Sequence, residues 1–252
     1  MTQERDELAR FLNETVDSGT PWRPDAWQRW VPVECVPAPL VHQGRITKRD
    51  LYDLAAVVAE GGDDRAVAGL VIAVQAWGSG VAGQGGDGRG PSRASSALGL
   101  GKRSPNDRPV PARLEAVRRA VELSGTDVAA AWRSLKRGPG QLPGWGEPFF
   151  TKLMHAAGYD RTSRPWPLIF DGRVRNALTA IGHSPQGHSL ADYKAYIELA
   201  DQWAYEWDVS PSQVEFALFS HAGVETSLTT PSLNDRAVHV DAPAEPREMA
   251  SV

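Results

Sequence analysis

The chain has 252 residues, 41% hydrophobic and 23% charged, with one cysteine and a net charge of −4. A lone Cys35 excludes an internal disulfide and a cysteine-ligated zinc or iron–sulfur centre. No apolar run reaches about 18 residues and Met1 to Phe11 has no apolar leader core, so neither a membrane span nor a signal peptide is expected, and the expected location is the cytoplasm.

The charge is unevenly spread. Residues 1–74 hold 8 basic and 12 acidic side chains, residues 75–175 hold 16 and 8, and residues 176–252 hold 3 and 11. A basic middle third between acidic flanks suits a polyanionic partner, or else a solvated basic surface.

In chain order, residues 4–17 predict a short amphipathic helix through Leu8, Phe11, Leu12 and Val16. The Trp- and Pro-rich stretch from Thr20 to Gly44, with Trp22, Trp27 and Trp30, reads as an ordered irregular segment wrapping the surface. Thr47 followed by Asp50 predicts an N-cap and its acidic third residue, opening a helix through Leu51, Leu54 and Val58. From Asp64 to Trp77 the sequence is almost continuously apolar. Length and alanines favour a core helix over a buried strand, and Gln75 faces either a cavity or an exposed edge.

Gly78 to Pro111 is rich in Gly, Ser and Arg and reads as a long loop interrupted by a short helix at Ser92–Leu98. Gly78-Ser-Gly80-Val-Ala-Gly83 fits a dinucleotide-binding string, but it follows a helix rather than a strand. Gly101-Lys102 lacks the flanking residues of a phosphate-binding loop. Helices follow at 111–124, 127–136 and 147–157, then one opened by Asp171, one at 190–207, and a last one capped by Ser210-Pro211. His183 and His188 flank a turn without acidic or cysteine neighbours in sequence, and read as exposed turn histidines rather than a metal site. The expected organisation is an N-terminal segment, 1–62, packed on a core, 63–224, followed by a disordered tail, 225–252.

The informative stretch is 132–178: helix, Leu142-Pro143-Gly144-Trp145-Gly146, helix, Ile169-Phe170-Asp171-Gly172-Arg173-Val174, helix. Two glycines one residue apart permit a tight hairpin between helices. The second helix then begins with backbone N–H groups that lack internal partners and suit a phosphate, giving a grip on DNA that reads no base. Lys136 and Arg137 just before the hairpin, and Arg173 and Arg175 just after Asp171, are candidates for phosphate contact.

This pattern resembles the helix-hairpin-helix DNA glycosylases. Leu142–Gly146 resembles their hairpin, and Ile169–Val174 the segment that delivers their aspartate to a helix start. Phe149–Leu153 followed by Pro167–Asp171 is similar to bacterial proteins with an 8-oxoguanine DNA glycosylase fold. The resemblance implies an all-α fold of two helical lobes around a cleft, acting as a monomer on double-stranded DNA with a flipped base. Asp171 would stabilise the charge developing on the sugar. A lysine would attack C1′, giving a glycosylase with AP lyase activity that excises a damaged or modified base such as 8-oxoguanine. Aligned on the hairpin, the family's lysine slot holds Pro148. Measured back from Asp171, Lys152 lies 19 residues upstream, close to the family spacing.

Lys152 and Asp171 are therefore the expected catalytic pair. If Lys152 is not the nucleophile, Asp171 activates water and the enzyme is monofunctional. Gln75, Trp77, Phe216 and Phe219 are the candidate base pocket, with Trp145 and Trp203 as further stacking candidates. No metal or cofactor is expected beyond a structural monovalent or calcium ion, which such hairpins can hold through backbone carbonyls. The alternative is a non-catalytic helix-hairpin-helix DNA-binding module, within or outside a bacterial defence system.

Overall fold

A computed structural model describes residues 8–13, 19–37, 40, 44–83, 89–101, 106–183, 185 and 188–229. It is mostly helical. Among the described residues the helices are α1 (Pro24–Trp27), α2 (Lys48–Ala59), α3 (Asp64–Gly83), α4 (Arg89–Leu98), α5 (Pro111–Ser124), α6 (Val128–Arg137), α7 (Glu147–Gly158), α8 (Gly172–Ala180), α9 (Leu190–Glu206) and α10 (Pro211–Thr229). One antiparallel pair, β1 (Thr20–Pro21) with β2 (Arg45–Ile46), joins Thr20 to Ile46 and Pro21 to Arg45. No described helix is long and apolar enough to cross a membrane.

α3 explains the architecture. Val67 to Val74 is apolar but for Gly69 and lies buried throughout, so this stretch of the helix has no solvent face and must be enclosed by others. α2, α4, α5 and α7 enclose it, and α6 packs on α5 and α7. A second group consists of α8, α9 and α10 with the 3-10 turn Arg10–Asn13. It is held to the first chiefly where α9 meets α6. Trp132 of α6 stacks there on Tyr193 of α9, with ring centroids 4.4 Å apart. The two groups are the two helical lobes, with a cleft between them.

Local signals set the helix ends. Thr47 and Asp50 form a reciprocal capping box on α2, and Ser189 and Asp192 form a second one on α9. Asp127 caps α6 by accepting from the Ala130 N–H.

Four expectations are corrected. The Trp-rich stretch does not simply wrap the surface: Trp22 and Trp27 are buried, their rings 5.2 Å apart, and Trp22 Nε1 donates to Leu40 O at 2.7 Å. The loop expected from Gly78 is shorter, because α3 runs on to Gly83 through a break at Gly80 (φ 59°, ψ −171°) and α4 begins at Arg89. The last helix continues to Thr229, past the expected start of the tail, and 230–252 lie outside the described residues. The helix expected over 4–17 is described only at 8–13, where it tightens into the 3-10 turn.

Candidate active site

The hairpin between α6 and α7 orients the site. Gly144 adopts φ +78°, a left-handed conformation that costs a side-chain-bearing residue more than glycine. Trp145 N–H closes the turn on Leu142 O at 3.1 Å, while Leu142 and the Trp145 ring turn inward and are buried. Gly144 and Gly146 remain exposed. Gly146 caps α7 without a side-chain bond. The carbonyl of Gln141 accepts from Arg113, that of Leu142 from Trp145, and that of Gly146 from Phe149 and Phe150.

α7 is buried along nearly its whole length, Lys152 included. Opposite it runs Pro167–Phe170, an extended segment with no strand partner, whose buried backbone groups must be satisfied elsewhere. Side chains satisfy them. Tyr193 OH accepts from Leu168 N–H (3.1 Å) and donates to Leu168 O (3.0 Å), and Tyr196 OH donates to Ile169 O (3.1 Å). Glu215 Oε2 accepts from Ile169 N–H (3.3 Å), and Thr151 Oγ1 from Phe170 N–H (3.1 Å). His155 Nδ1 donates to Pro167 O at 2.9 Å.

This pinned segment ends at Asp171, whose Oδ1 caps α8 by accepting from Arg173 N–H (3.1 Å) and Val174 N–H (3.2 Å). Its other oxygen, Oδ2, accepts from Lys152 Nζ at 3.1 Å. Lys152 Nζ also donates to Pro148 O at 3.1 Å and lies 5.8 Å from the Trp77 ring and 6.0 Å from that of Phe149. The side chains are 7% and 15% exposed, so this ion pair is shielded. Burial disfavours the Asp171 carboxylate, yet the adjacent ammonium and the two α8 N–H groups hold its carboxyl below the ordinary aspartate range.

The pair lies on the wall of a cavity of about 590 Å³ between the lobes. Trp77, Phe216 and Phe219 line it, and so does a second polar group. Lys48 Nζ pairs with Glu215 Oε1 at 3.1 Å, and Tyr52 stacks on Tyr159 with centroids 5.0 Å apart. Behind them His155 is fully buried, which pushes its pKa down to about 4 despite Glu215 nearby. The neutral ring carries its proton on Nδ1, facing Pro167 O, so Nε2 accepts from Tyr52 OH at 2.9 Å.

The structure brings Lys152, Asp171, Trp77, Phe216 and Phe219 to one cavity. Gln75 is not among the lining residues. It is fully buried, its Nε2 donating to Ser79 Oγ at 2.8 Å, so it neither faces the cavity nor lies on an exposed edge. Trp203 is buried against His183 and Trp207, away from the cavity lining. Of the four candidate phosphate contacts, Arg137 and Arg173 are exposed, the latter stacked on Phe219 at 4.6 Å. Lys136 and Arg175 instead turn onto Glu147, with Arg175 Nη1 at 2.8 Å. His188 also bonds Glu147, so it has an acidic partner after all. Burial opposes the charge on Glu147, but hydrogen bonds and attraction from Lys136 and His188 hold its carboxyl below the usual glutamate range. Lys48, Glu215, Tyr52 and Glu147 carried no local sequence signal, because their partners lie far along the chain.

Residues 13–219 match a family model described as "Putative 8-oxoguanine DNA glycosylase OGG-like protein". No curated protein and no solved structure matches the chain.

Proposed function

The chain belongs to this OGG-like family, and from that premise we propose that it is a DNA N-glycosylase with AP lyase activity, excising a damaged base such as 8-oxoguanine from duplex DNA. The observation that carries the reading is the Lys152–Asp171 pair, 3.1 Å apart on the wall of a cavity between two lobes. A nucleotide extruded from the duplex would enter that cavity. The exposed turn at Gly144 and Gly146 would face the DNA backbone, with Arg137 and Arg173 adding charge.

In the reaction, Lys152 gives up a proton and its amine nitrogen forms a bond to C1′. The glycosidic bond breaks, its electron pair leaves with the base, and the base takes up a proton. Opening of the sugar ring then gives a Schiff base. Asp171 stays ionised and stabilises the positive charge that develops on the sugar. The shielded site lets it act without competition from bulk water.

The same ion pair also supports a second reading. With Lys152 committed to Asp171 and to Pro148 O, Asp171 would orient a water in a monofunctional enzyme. Borohydride reduction of wild type and Lys152→Gln on duplexes carrying 8-oxoguanine or an abasic site separates the two. An adduct lost in the variant establishes the lysine route. Base release without an adduct establishes the water route. Binding with neither leaves a DNA-binding module, and both catalytic readings fall.

A further inference from the structure

We infer that Lys48 is a base-docking residue: its ammonium, held in place by Glu215, donates to a carbonyl oxygen of the base that enters the cavity. The inference rests on the glycosylase reading above and adds to it the residue that docks the base, an uncharged heterocycle bearing an exocyclic carbonyl.

Lys48 occupies the first position of α2, directly after the Thr47 cap. A cation there opposes the helix dipole, so helix stability does not account for it. Its side chain is 14% exposed and lines the cavity. The carboxylate that holds it, Glu215, is committed on both oxygens: Oε1 accepts from Lys48 at 3.1 Å and Oε2 from Ile169 N–H at 3.3 Å. Glu215 is thus a positioning residue, anchored to the same pinned segment that carries Asp171. The two ammonium groups lie at similar distances from one aromatic ring, Lys48 Nζ 5.9 Å and Lys152 Nζ 5.8 Å from the Trp77 centroid.

The charge balance of the cavity narrows the ligand. Lys48 with Glu215 and Lys152 with Asp171 are each compensated, and the remaining wall is uncharged, with aromatic rings set among glycines and small polar residues. A phosphate or a cationic alkylated base would each add uncompensated charge to a shielded space whose own charges already balance. A neutral heterocycle adds no charge and offers Lys48 an acceptor. Lys152 is bonded to Asp171, which on the glycosylase reading leaves the sugar to that pair and the base to Lys48.

The test compares two duplexes. One carries 8-oxoguanine, and single-turnover base release is measured. The other carries a tetrahydrofuran abasic analogue, which presents no base, and affinity is measured. In Lys48→Met, base release should fall about 10- to 100-fold, the worth of a hydrogen bond from a charged donor, while affinity for the abasic analogue is unchanged. Since that variant strands the buried Glu215, the double variant Lys48→Met/Glu215→Gln is measured alongside and should lose base release equally. Unchanged base release in either variant, or a parallel loss of abasic affinity, overturns the docking role. A wild type that binds both duplexes but releases no base overturns the glycosylase reading, and this inference with it.

Discussion

A β-carbon built on Gly78 would stand 2.8 Å from Lys152 Cδ and 3.1 Å from its Cε. The glycine on α3 therefore clears the channel through which the Lys152 side chain reaches Asp171. Phe149 Cε1, at 3.0 Å from the same point, closes the other side.

Gly78→Ala is accordingly predicted to separate stability from activity. The backbone is helical, where alanine is favoured by up to about 1 kcal/mol, which offsets part of the cost of displacing Lys152 and pressing on Phe149, so Tm should change little. Lys152 must move, and a reacting group displaced by about 1 Å can lose about 100-fold in rate. Thermal melts and single-turnover base release on the same preparation check both halves. A variant with wild-type rates would remove Gly78 from the account.

His155 makes stability depend on pH in a defined direction. Its folded pKa, about 4, lies below the ordinary 6.5, so the unfolded chain binds the proton first. The stability it contributes is complete above about 6.5 and is lost as pH falls toward the folded value. Asp171, also depressed, adds a further loss below the ordinary aspartate range. Urea midpoints should fall between pH 7 and 4.5, and fall less in His155→Gln, which keeps a donor and an acceptor but cannot titrate.

Lys136 and Arg137 are neighbours in sequence with different predicted roles. Lys136 is bonded to the buried Glu147, whereas Arg137 is exposed. Arg137→Ala should lower the salt slope of duplex binding by about 0.9, the contribution of one phosphate contact. Lys136→Ala should leave the slope nearly unchanged and lower the unfolding free energy instead, by about 1–3 kcal/mol, as it breaks a charge-assisted bond to a buried group. Salt titrations of binding and urea melts of both variants give the comparison.

Tyr193 bonds both the N–H and the C=O of Leu168 through one hydroxyl. Tyr193→Phe keeps the stack on Trp132 but orphans two buried backbone groups, so it should cost about 1–3 kcal/mol. A loss of base release larger than the stability loss explains would place the effect at Asp171, which the same segment delivers.

Much of the frame was legible in the sequence because it is written locally. The capping boxes at Thr47 and Ser189, the hairpin at Leu142–Gly146 and the aspartate cap at 171 are each encoded within a few residues. Lys152 and Asp171, 19 residues apart in sequence, meet at 3.1 Å because α7 and the segment 167–170 run side by side, joined by Thr151 Oγ1 and Phe170 N–H. What escaped is pairwise and distant. Lys48 meets Glu215 across 167 positions, and no periodicity links them. Glu147 was read as part of a helix start, yet it draws Lys136, Arg175 and His188 inward from three elements. Gln75 was misplaced because an apolar run shows that a helix is buried, not which of its faces a cavity touches.

The segment 167–170 belongs to no sheet, and chain segments of that kind ordinarily exchange their amide hydrogens with solvent quickly. Here Leu168, Ile169 and Phe170 each donate to a side chain drawn from a different helix, α9, α10 and α7. Releasing any one of those hydrogens requires the helices themselves to part. The three amides should therefore exchange at the rate of global opening. The strip of backbone that resembles a loop is then among the last parts of the molecule to let water in, and the carboxylate at its end is set in place before any ligand arrives.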